Sequence, residues 1–91
     1  MTRIERIRET LQQTFAPQRL HIEDQSHLHA GHAGAASGRG HFRVELVSDA
    51  FAGMTPIQRH RAVYSALGAL MQTDIHALSL SARTPEESAG G

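Results

Sequence analysis

The chain has 91 residues, with 9 basic and 9 acidic side chains, seven histidines and no cysteine. That is enough for one domain burying roughly 60–70% of its unfolded surface around a modest core. Zero net charge with neutral histidines argues against holding nucleic acid by bulk phosphate neutralisation, which takes a basic surplus.

With no cysteine there is no disulfide, no thiolate ligand and no thiol nucleophile. No apolar run follows Met1-Thr2-Arg3-Ile4-Glu5-Arg6, so no signal peptide is expected. No stretch approaches the roughly 20 apolar residues of a membrane helix. The expectation is a soluble, cytoplasmic protein, with nothing to support an unaided hydrolase.

Thr2 with Glu5 forms a capping-box pair. Ile4, Ile7, Leu11 and Phe15 then recur on one helical face, and Pro17 ends this first helix near Ala16. Leu20 and Ile22 alternate with His21 and Glu23 as a short half-buried strand. From Ser26 to Gly40 there are four glycines, four alanines and no apolar period. Loops of this length tend to be functional or disordered.

Alternation resumes from His41 to Ser48, with Phe42, Val44 and Leu46 on the inner face. Asp49 to Gly53 is a turn, and Thr55, Pro56 and Gln58 open a second helix as N-cap, N1 and N3. On a wheel of about 100° per residue, Ile57, Val63, Tyr64, Leu67, Leu70 and Met71 share one stripe. His60 lies inside that stripe, which predicts a packed core histidine, and the helix is expected to run to about Gln72. A third strand covers Ala77 to Arg83, with Leu78, Leu80 and Ala82 inward. Residues 1–85 then form the domain, and 86–91 a flexible tail.

The order is therefore αββαβ, an α+β domain with a three-stranded mixed sheet covered by helices. The first two strands make an antiparallel hairpin. A right-handed helical crossover sets the third strand parallel to the second. Their starts then share one edge, which brings His76 and His41 to the base of the loop carrying His27, His29 and His32.

Imidazole is the commonest protein metal ligand, so this convergence points first to metal chemistry. There is no His-Glu-x-x-His and no cysteine pair, so the common zinc patterns are missing. Asp24 offers one carboxylate near the loop base. Two or three imidazoles without a fixed fourth ligand make an incomplete site that a partner must complete. His21 is expected at the surface, and His41 to pin its strand start.

Arg59 and Arg61 invite a nucleic-acid reading, but they flank the apolar stripe on opposite sides. Their stems then cover core edges while the charges stay in water. The Gly-x-x-Gly loop by which KH domains clamp a backbone has one match, Gly31-His32-Ala33-Gly34, and it lies in the hairpin loop.

Several stretches together resemble the BolA-like proteins: Asp24-Gln25-Ser26-His27 with its glycine-rich loop, His41 to Ser48, Phe51-Ala52-Gly53, Gln58 to Tyr64, and Ile75 to Leu80. They run in the family's order across residues 3–85. The resemblance implies a class II KH-like fold and partnership with a monothiol glutaredoxin, the two sharing a [2Fe-2S] cluster together with glutathione. It implies that His76 is a cluster ligand and that the hairpin loop supplies a second, His29 matching best and His32 being the alternative. No cluster is expected on the isolated chain, nor a small-molecule substrate, catalysis or membrane contact. Bacterial relatives are also described as DNA-binding regulators of stress and cell morphology. For this chain that implies contact through the helix beginning at Thr55, with Arg59 or Arg61.

Overall fold

The computed structural model describes residues 1–26 and 40–90. Helix α1 (Arg3–Phe15) starts with the capping box expected of Thr2 and Glu5. It buries Ile7, Leu11 and Phe15, spaced by four residues on one face. Strands β1 (Arg19–Asp24) and β2 (Gly40–Val47) pair antiparallel, from Arg19 opposite Val47 to Asp24 opposite Phe42. A 3-10 turn (Asp49–Phe51) follows, capped by the Ser48 hydroxyl accepting from Ala50 N.

Helix α2 (Pro56–Leu67) opens with a second capping box, Thr55 with Gln58 and Pro56 behind the cap. A short helix α3 (Leu70–Thr73) leads into β3 (Ile75–Arg83), and α4 (Pro85–Gly90) ends the described chain. The sheet order is β1-β2-β3, with β3 parallel to β2. The mixed sheet and the shared edge are therefore as expected.

Helix α1 lies against β1 and α2. The core joins Ile7, Leu11 and Phe15 to Ile22, Phe42, Val44, Leu46, Phe51, Val63, Leu67 and Ile75. Phe15 and Phe51 meet at 5.1 Å between ring centres, and the buried Ser48 hydroxyl donates to the Phe15 carbonyl at 2.6 Å. These contacts close one end of the sheet and leave the opposite edge to the loop base.

Two expectations fail in α2. His60 is exposed, and so is Ile57; the buried residues are Arg59, Val63 and Leu67. The helix also stops at Leu67, where Gly68 takes φ +50° and donates to the Tyr64 carbonyl. Positive φ costs glycine little and other residues more. A wheel drawn through Gly68 to Met71 treats two short helices as one, so its stripe comes out in the wrong phase.

A third correction concerns residues 86–91, read as a flexible tail. Through Gly90 they are helical, and a capping box between Thr84 and Glu87 starts the turn. Pro85 sits at the first helical position, where its missing N–H costs nothing.

Candidate ligand edge at the start of the second and third strands

Three segments meet where β2 and β3 begin. Gln25 N donates to the His41 carbonyl at 2.8 Å, and His41 N donates to Ser26 Oγ at 3.1 Å. Ser26 N in turn donates to Asp24 Oδ1 at 2.9 Å, a side-chain turn that ends β1. Gly40 N donates to the Asp74 carbonyl at 2.9 Å. The loop therefore leaves and returns through a pinched base, beside the first residues of β3. The pinch needs glycine: a Cβ on Gly40 would stand 2.5 Å from Ser26 Oγ and 2.9 Å from the Phe42 ring.

His76 is exposed on this edge. The ladder pairs Gly40 with Ile75 and then His41 with Ala77, so the register skips His76. A β-bulge of this kind leaves one residue unpaired and re-aims its neighbours. It also explains how Ile75 and Leu78, three apart, both reach the core, which strict alternation forbids. His41 is half-buried, with Nε2 3.2 Å from Ser79 Oγ on the neighbouring strand.

Asp74 anchors the edge from below. Its carboxylate, 12% exposed, lies 2.9 Å from Arg6 Nη2 and 3.3 Å from Arg3 Nε. The bond from Arg6 holds its pKa below the ordinary carboxylate value, against the opposing effect of burial. Its own N–H donates to the Leu70 carbonyl at 2.9 Å. Sequence reasoning passed over this residue, yet a signal was there. Arg3 and Arg6 lie near the positive end of the α1 dipole, where cations are unfavourable, so they call for an acid partner.

His27, His29 and His32 lie outside the described residues. Among the described residues, no group of three or more His, Asp or Glu is placed to hold a metal ion. The donor this edge offers is thus a solvent-facing imidazole at His76, which suits one position of a site completed from elsewhere.

The two arginines of α2 part company. Arg61 is exposed, as are His60 and His21. Arg59 is 9% exposed, and its guanidinium charge does not stay in water. It donates to the carbonyls of Met54 (3.0 Å) and Ala82 (3.2 Å) and to both oxygens of Glu87. In this fold Arg59 fastens α4 to the end of β3.

A family model described as BolA-like protein matches residues 11–87. The chain is 46% identical over 89 residues to "Protein BOLA1, chloroplastic" of Arabidopsis thaliana, covering 94% of this chain and 56% of that protein. It thus spans little more than half the length of that relative. The "DNA-binding transcriptional regulator BolA" of Escherichia coli (strain K12) is 43% identical over 83 residues, 91% of this chain and 76% of that one. The solved structure of BolA1 from Arabidopsis thaliana superposes with a TM-score of 0.83 at 41% identity, covering 96% of both chains. Among the described residues, no helix is long and apolar enough to cross a membrane. With the family model covering most of its length and its fold matching solved members, the chain belongs to the BolA-like family.

Proposed function

We propose that the chain pairs with a monothiol glutaredoxin and shares a [2Fe-2S] cluster with it, in iron–sulfur trafficking or iron and redox regulation. His76 and a loop histidine, His29 or His32, are the ligands from this side. The observation that carries the reading is the Gly40 N to Asp74 O bond of 2.9 Å. It brings the strand on which the loop returns alongside the residue two before an exposed His76.

The donor chemistry agrees. The chain has no thiolate, and imidazole nitrogen ligates iron in Rieske-type clusters, where it raises the reduction potential relative to all-thiolate ligation. A cysteine of the glutaredoxin and the glutathione thiol supply the remaining ligands. What this chain contributes is an accessible imidazole on a strand held by the core through Ile75, which is fully buried.

Anaerobic mixing with a monothiol glutaredoxin carrying a [2Fe-2S] cluster tests this, read by visible circular dichroism and sizing. The expected result is a new spectrum and a heterocomplex, with the new spectrum lost in His76→Ala and in one of His29→Ala or His32→Ala. An unchanged spectrum with no complex removes the reading.

A second reading, a DNA-binding regulator, is favoured by the name of the 43%-identical Escherichia coli relative and by the exposure of Arg61 on α2. It draws less on Arg59, whose donors are engaged within the fold. A duplex titrated at rising salt decides it: phosphate contacts make affinity fall steeply between low and physiological salt. A flat response removes it.

A further inference from the structure

His76 has no partner in the ladder between β2 and β3, because the register passes from Gly40–Ile75 directly to His41–Ala77. Its direction is therefore set by its neighbours in the chain. On one side Ala77 rejoins the ladder. On the other, Ile75 is fixed in the core, and Asp74 is held at every polar group. Its N–H donates to Leu70 O and its carbonyl accepts from Gly40 N, each at 2.9 Å. Its carboxylate accepts from Arg6 Nη2 (2.9 Å), Arg3 Nε (3.3 Å) and Thr73 Oγ1 (3.1 Å).

We propose that Asp74 is a positioning residue for His76: clamped by Arg6 and Arg3 of α1, it locks the bulge that presents the imidazole. This rests on the reading of His76 as a ligand given above. A ligating side chain must be held within about 0.5 Å of its working geometry by groups that do not themselves ligate. At an unpaired bulge the ladder does not supply that restraint. Helix α1 does, from 68 residues away in sequence. The arrangement also accounts for two arginines at the end of α1 where the helix dipole opposes them.

Asp74→Asn keeps the side-chain size and the Thr73 contact while removing the charge. Arg6→Gln breaks the clamp from the other side, and Arg6→Lys restores a cation there. The free chain is followed by amide hydrogen exchange at Gly40 and by the width of the His76 ring resonances. The complex with cluster-loaded monothiol glutaredoxin is followed by visible circular dichroism. Asp74→Asn and Arg6→Gln are expected to speed Gly40 exchange at least tenfold and to broaden the His76 ring signals. Core amides such as Val44 should keep their protection. Both variants should alter the cluster spectrum, and Arg6→Lys should recover part of it.

Unchanged Gly40 exchange and His76 signals in both variants overturn the proposal, whatever the cluster does. A spectrum that responds to His76→Ala but to neither clamp variant overturns it as well, since the imidazole then ligates without the clamp. A spectrum indifferent to His76→Ala overturns the ligand reading itself, and the positioning role falls with it. That failure is recognised by the native spectrum surviving loss of His76, whatever the free-chain exchange shows.

Discussion

Arg59 of α2 and Glu87 of α4 face each other through two bonds, 2.6 Å and 3.2 Å, with the arginine buried and the carboxylate half in water. The same guanidinium reaches back to the Met54 and Ala82 carbonyls. One side chain thus ties together the entry to α2, the end of β3 and the last helix.

Arg59→Ala leaves the Met54 and Ala82 carbonyls without this donor and Glu87 without its cation. We expect a loss of about 1.5–3 kcal/mol in urea unfolding, and a melting midpoint lower by roughly 10 °C. Arg59→Lys should recover little of it, since a point charge does not reproduce a planar fork with fixed donors. Recovery of most of the loss by lysine would show that charge alone matters there.

The pH dependence follows from the same pair. Bonding to the Arg59 guanidinium, and next to the Thr84 N–H, holds Glu87 at about 2 against an ordinary 4.5. Asp74 is lowered as well, chiefly by Arg6. A carboxylate with a lowered folded value stabilises fully above its unfolded value and loses that effect as pH falls through the folded one. The urea midpoint should therefore hold from neutrality down to about pH 5, then fall between 4.5 and about 2. Glu87→Gln should flatten part of that fall, and an identical slope in native and variant would refute the assignment.

Gly40→Ala should destabilise by about 1–3 kcal/mol through overpacking, because its Cβ meets Ser26 Oγ at 2.5 Å. Ser26→Ala in the same chain removes that atom, so the double variant should lose less than the sum of the two single changes. Strict additivity in a double-mutant cycle would place the strain at Phe42 instead.

Adjacent residues at the ligand edge should behave oppositely. His76→Ala, at an exposed position, should shift stability by no more than about 0.5 kcal/mol. Ile75→Ala, at a fully buried one, should cost about 2–5 kcal/mol. Thermal melts of the two variants check this. They also keep any loss of cluster spectrum in His76→Ala from being mistaken for unfolding.

Much of the architecture is legible along the chain. Thr2 with Glu5, and Thr55 with Gln58, announce their helices because a capping box is closed within four residues. Phe42, Val44 and Leu46 announce the central strand because alternation is a local property of extended backbone. The meeting of two strand starts at one edge follows once a helical crossover sets the third strand parallel beside the second, which is why His76 stands out from the sequence.

What only the tertiary structure decided depends on contacts between distant parts of the chain. The buried face of α2 is set by Val63 and Leu67 packing into the core, and Arg59 joins it by bonding Glu87, 28 residues further on. A charged side chain thus lies inside, with His60 and Ile57 outside. The same contact ties helix α4 to α2. The bulge at His76 lets Ile75 enter the core while Leu78, three residues on, packs against it. Its anchor is an aspartate tied to an arginine 68 residues away. Local periodicity sees neighbours within a few residues; a buried charge is placed by a partner that only the closed fold brings near.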